Sequence, residues 1–163
     1  GGNRVLAIGS TERWEGKNVI LGTHSTLLDI SAQPRILGKW AADGISSSVG
    51  GDHHEFTWWN TRSMAAFGVF VNSRYYSPPE ALFLNVGASD VGARMVRPRE
   101  ADLGRHCPQD QLDRTGCDDS GPPMVSRVLV VNGAPWLYTS ESLERLDPDS
   151  LKSTALVTLP PSS

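Results

Sequence analysis

The 163 residues carry 15 Lys+Arg against 18 Asp+Glu, a formal net charge of -3, with 20% charged residues. This composition offers neither the basic surface that nucleic-acid binding needs nor the bias of a disordered chain. The length fits one domain of roughly 100 to 200 residues with a sizeable core. The longest apolar run, Val128-Leu129-Val130-Val131, falls far short of the ~20 residues of a membrane helix.

Short apolar or alternating stretches bounded by Gly, Pro, Asn and Ser recur about every ten residues and predict strands. In chain order they are Arg4 to Ser10, Asn18 to Thr23, Thr26 to Ile30, Arg35 to Ala41, Glu55 to Trp59 and Ala65 to Val71. Then come Ala81 to Val86, Ala93 to Arg97, Val125 to Val131, Trp136 to Thr139, Leu143 to Leu146 and Ala155 to Leu159. No stretch holds a helical apolar stripe for three turns; only Ser140 to Arg145 and Pro98 to Leu103 leave room for one short helical turn. The 16 Gly and 11 Pro supply turns throughout, so the fold class is all-β, a sandwich, barrel or propeller. Between the eighth and ninth predicted strands, residues 105–123 hold both cysteines, three prolines and four aspartates, with Leu112 the only large aliphatic residue. Such a segment buries little and is expected to be a surface loop.

Cys107 and Cys117 enclose nine residues, a spacing that suits a local disulfide worth roughly 2 to 3 kcal/mol through restriction of the unfolded loop. Free thiols and a zinc site are the other readings. Zinc would want a CxxC-like pair and further ligands, and only His106 is adjacent. A disulfide implies an oxidising compartment and hence an exported protein.

Asp52-His53-His54-Glu55-Phe56-Thr57-Trp58-Trp59 is the most distinctive stretch. Read as a strand, it puts His54, Phe56 and Trp58 on one face and His53, Glu55, Thr57 and Trp59 on the other. Asp52, His53 and His54 then make a candidate divalent-metal or acid-base site, because neutral imidazole with carboxylate is a common ligand set. Alternatively the imidazoles are hydrogen-bonded between strands and Trp58 and Trp59 fill space between sheets. His24, Asp118 and Asp119 are the residues a fold might add to a metal shell. The five tryptophans also raise a sugar-stacking platform. Ser46-Ser47-Ser48-Val49-Gly50-Gly51 lacks the Lys-Ser/Thr of a phosphate loop, and no GxSxG, HExxH or closed EF-hand loop is present. No cofactor is expected.

Three segments resemble a known family. Thr26-Leu27-Leu28-Asp29-Ile30-Ser31 with Gln33-Pro34-Arg35-Ile36-Leu37-Gly38-Lys39-Trp40 resembles a propeller hairpin in which a strand ends in Asp-x-Ser before a Pro-containing turn. Here the turn is shortened to Ala32-Gln33-Pro34. Ser47-Ser48-Val49 and the Asp52 to Trp59 stretch, followed by Ala65 to Val71, are similar to the Asp-His-His and Trp-Trp signature of the secreted C-terminal β-propeller domain family of bacteria and archaea. Ser126 to Gly133, Trp136 to Ser140 and Leu143 to Leu151 resemble its closing segment, with a longer turn at Asn132 to Trp136.

The resemblance implies β-propeller blades over residues 1–163, with 124–159 the closing blade. At about 40 to 45 residues per blade, the length corresponds to three to four blades. The abrupt Gly1-Gly2 start adds the expectation of a C-terminal slice of a larger propeller, its remaining blades N-terminal to Gly1 and its first blade exposing an unpaired edge. The implied function is a non-enzymatic binding or scaffold module, secreted or at the cell surface. Its expected partner is a protein or a surface polymer, with no nucleic acid and no membrane span within the chain. The alternative is a metal-dependent enzyme or metal-binding site at Asp52, His53 and His54.

Overall fold

The computed structural model describes residues 3–47, 49, 52–71, 79–99 and 124–160. They form twelve strands: β1 (Arg4–Glu15), β2 (Asn18–Asp29), β3 (Arg35–Asp43), β4 (Ile45–Ser46), β5 (Thr57–Trp59), β6 (Met64–Val71), β7 (Pro79–Val86), β8 (Val91–Val96), β9 (Val125–Val131), β10 (Ala134–Thr139), β11 (Ser142–Leu146) and β12 (Ser153–Thr158). The only helical pieces among the described residues are single 3-10 turns at His53–Glu55 and Asn60–Arg62. The all-β expectation holds. Residues 105–123 and the cysteine pair Cys107 and Cys117 lie outside the described residues.

The strands make three antiparallel sheets. Sheet 1 is the meander β1-β2-β3. Sheet 2 runs β6-β7-β8, and β4 and β5 share the same flanking edge of β6, pairing with Phe70–Val71 and Met64–Ala66 respectively. Sheet 3 is the meander β9-β10-β11-β12. Each sheet is drawn from one continuous stretch of chain.

Two strands predicted separately, Asn18 to Thr23 and Thr26 to Ile30, are one strand of twelve residues. The break was read at polar residues that are in fact on the inner face. Thr23 and Ser25 are buried, and Thr23 Oγ1 donates to the Ile45 carbonyl at 2.9 Å, which satisfies the hydroxyl where an aliphatic side chain was expected. The β1–β2 hairpin keeps an unbroken register from Arg4–Asp29 to Glu15–Asn18 and turns at Gly16, whose φ of 63° suits glycine.

Side chains alternate between faces, and sheet 2 uses both faces for core. On one side Ala65, Phe67, Val69, Leu82, Leu84 and Val86 pack with Leu27, and Leu6, Ile8 and Trp40 of sheet 1 cover them. On the other side Ala66, Ala81 and Phe83 pack with Val125, Val128, Leu137 and Leu146 of sheet 3. Sheets 1, 2 and 3 therefore stack face to face in chain order. Glycines set the spacing of both interfaces. A Cβ on Gly68 would stand 2.0 Å from the Val125 carbonyl oxygen, and one on Gly38 would stand 2.8 Å from the Asp90 Cα. In each case backbone approaches backbone, which only glycine permits.

Candidate functional site

The Asp52 to Trp59 stretch is a strand only from Thr57 to Trp59. Asp52 Oδ1 accepts the His54 N–H at 2.8 Å and the Asp52 carbonyl accepts the Glu55 N–H at 3.2 Å, so the aspartate winds His53–Glu55 into a 3-10 turn. This local capping competes with strand formation and replaces the alternation expected over Asp52 to Phe56. His54 is exposed, and Phe56 turns inward onto the core between sheets 1 and 2. Among the described residues no group of three or more His, Cys, Asp and Glu side chains could hold a metal ion. His24 stands in sheet 1, its ring over Gly9 on the neighbouring strand, where a Cβ would lie 2.8 Å from the imidazole.

From Thr57 onward the alternation holds and separates the two tryptophans. Thr57 and Trp59 face sheet 3, and the Thr57 hydroxyl donates to the Val128 carbonyl. Trp59 is 4% exposed. The Arg62 guanidinium lies 5.4 Å from its ring centroid, a cation–π distance, and reaches on to Asp149 at 2.7 Å. Trp58 faces sheet 1 and is 43% exposed.

Beside Trp58 lies a groove of about 320 Å³. Arg4 and Leu6 of β1 and Leu27 of β2 form one wall; Trp58, Asn60, Ser63 and Val86 form the other. Three segments far apart in sequence meet there. The Asn60–Arg62 turn places the polar groups: Ser63 takes a left-handed conformation at φ 49°, donates its N–H to the Asn60 carbonyl at 3.2 Å and accepts the Val86 N–H at 2.9 Å. The groove thus offers an aromatic face, an aliphatic floor, and a hydroxyl, an amide and a cation at its rim, the mix that binding sites use to fix orientation.

Arginines tie each sheet to the hairpin turn of the next. Arg4 of sheet 1 donates to the Gly87 carbonyl at 3.0 Å and the Ala88 carbonyl at 3.4 Å, in the β7–β8 turn. Arg94 of sheet 2 donates to the Ser150 carbonyl at 2.7 Å and the Asp149 carbonyl at 3.3 Å, in the β11–β12 turn. Two of the hairpin turns are built on an aspartate that gathers a serine. Asp29 Oδ1 accepts the N–H and hydroxyl of Ser31 at 2.9 and 2.7 Å while Oδ2 accepts Arg35 at 3.0 Å. These bonds, Ser31 first, lower the Asp29 pKa to about 2. Asp147 Oδ1 accepts the N–H and hydroxyl of Ser150, both at 2.8 Å, and the Ser150 N–H above all holds this carboxyl below its ordinary range. Glu80 shifts the other way because burial penalises its charged form, an effect Arg97 opposes.

Of the candidate residues, the structure brings Trp58 into a groove, buries Trp59 and gives Asp52 a capping role. The side chain of His53 lies outside what is described. Arg4, Asn60 and Ser63 were missed: each is an ordinary polar residue whose place depends on how the sheets stack. No family model matches the chain, and neither a curated protein nor a solved structure matches it.

Proposed function

We propose that the chain is a non-enzymatic, extracytoplasmic binding module built of β-propeller blades, contacting a protein or surface polymer through the groove at Trp58. The observation that carries the reading is the exposure of Trp58 over that groove, in a sheet whose other large side chains are used for core on both faces. Aromatic side chains held rigid at a half-open site supply much contact area at little entropic cost. The propeller part draws support from three antiparallel sheets stacked in chain order and from the Asp-Ser turns that recur in the first and third. Export rests on the resemblance and on the cysteine spacing.

The test is binding of the intact chain to immobilised cell-surface polysaccharides and to extended peptides, followed by intrinsic fluorescence. Saturable binding that shifts the emission and disappears in Trp58→Ala is expected. No binding across the panel, or equal binding by the folded Trp58→Ala variant, would overturn it.

A further inference from the structure

We infer that the groove accepts an extended strand of a partner polypeptide, which pairs by its main chain with the free edge of β1 and seats a side chain against Trp58. This rests on the binding reading above and names the class of ligand.

Comparison of the sheets carries the argument. Sheet 3 has a first strand, β9, beside the hairpin strand β10, and sheet 2 has β4 and β5 in the same place beside β6. Sheet 1 begins directly with its hairpin strand β1, and among the described residues nothing pairs with the other edge of β1. The two tryptophans report the difference. Trp59 faces sheet 3, where β9 packs against β5, and is 4% exposed. Trp58, one residue earlier on the same strand, faces sheet 1, where no first strand stands, and is 43% exposed. The groove of about 320 Å³ lies between them and the start of β1.

The free edge has the chemistry of a strand acceptor. The Asn3 carbonyl accepts the Ile30 N–H at 2.6 Å, so Asn3 points its main-chain groups at β2. Antiparallel ladders alternate, which turns the N–H and C=O groups of Arg4, Leu6 and Ile8 to the open edge. Their side chains face sheet 2, and Leu6 and Arg4 line the groove. The devices that block edge pairing are absent: β1 has no proline, and its register shows no bulge over its twelve residues. An incoming strand would gain main-chain hydrogen bonds from the edge and specificity from alternate side chains entering the groove. The expected partner carries apolar residues at every second position, as β9 brings Val128 to the opposite interface.

The experiment pans a random peptide display library against the intact chain. Enriched peptides are then made synthetically, with and without N-methyl groups on alternate backbone nitrogens. The proposal expects enrichment of alternating apolar sequences and slowed hydrogen exchange at Arg4, Leu6 and Ile8 on binding. It expects about a tenfold affinity loss on N-methylation, the loss of roughly two main-chain hydrogen bonds. Ser10→Pro, which removes an edge-facing N–H at an exposed position, should weaken longer peptides without unfolding the chain. Peptides that need Trp58 but tolerate N-methylation and leave β1 exchange unchanged would overturn strand addition and leave the groove reading standing. Failure to enrich any peptide while a polysaccharide still binds would do the same. A chain that pairs β1 with β1 of a second copy and excludes peptides would also overturn it. Failure of every ligand would remove both readings.

Discussion

The two faces of sheet 2 are built from the same strands and meet different fates. Toward sheet 3 the contact is complete: Gly68 lets β9 approach to backbone contact, Thr57 bonds the Val128 carbonyl, and Trp59 is covered and backed by Arg62. Toward sheet 1 the centre is equally well filled by Phe67, Leu82 and Leu84, yet the end nearest β5 opens into a groove. Sequence alternation alone makes Trp58 and Trp59 look equivalent. The presence or absence of one neighbouring strand makes the first a contact residue and the second a core residue.

Substitutions can break or sharpen that contrast, beginning with the tightest point. Gly68→Ala drives a Cβ into a carbonyl that cannot move without shifting sheet 3, and should cost at least about 3 kcal/mol in urea unfolding. Gly92→Ala, with nothing within 4 Å, should stay within about 0.5 kcal/mol. Trp59→Ala should cost about 3 to 5 kcal/mol as a buried aromatic, and Trp58→Ala about 1 kcal/mol or less; equal losses would refute the asymmetry. Thr57→Val, which removes the hydroxyl bonded to Val128, should cost about 1 kcal/mol. Arg62→Ala should cost below about 1 kcal/mol, less still at high salt, because the pair with Asp149 is solvent-exposed.

The smallest expected effect is that of acid. Asp29 and Asp147 have folded pKa values below their ordinary 3.8, Asp29 at about 2. Their contribution is therefore fully present above about pH 4 and is lost as pH falls through the folded values. Thermal melts between pH 5 and 2 should show a falling limb that Asp29→Asn flattens; an unchanged limb would mean that the turn does not depend on its carboxylate.

Much of the architecture was legible because strands advertise themselves by alternation and by the turns that bound them. Leu82, Leu84 and Phe83 read directly as a strand buried on both faces. The reading failed where local polar bonds outweigh pattern. Asp52 captures the His54 N–H and coils residues that look like a strand, whereas Thr23 and Ser25 look like a break and lie inside one. The site was half legible. Trp58 stands out by residue type, but its exposure depends on the strand order of another sheet. Arg4, Asn60 and Ser63 carry no pattern of their own, and an arginine that binds carbonyls of a turn eighty residues away leaves no local trace.

The drawing of each sheet from one continuous stretch of chain has a kinetic consequence. Backbone pairing needs only short loop closures along β1 to β3 and along β9 to β12, so each meander pays little entropy to form its own ladder. The sheets are then joined by side-chain burial and a few arginine bonds. Opening should therefore propagate sheet by sheet, with the third sheet, which has its full set of strands, exchanging its amides most slowly and the outer strand of the first exchanging fastest.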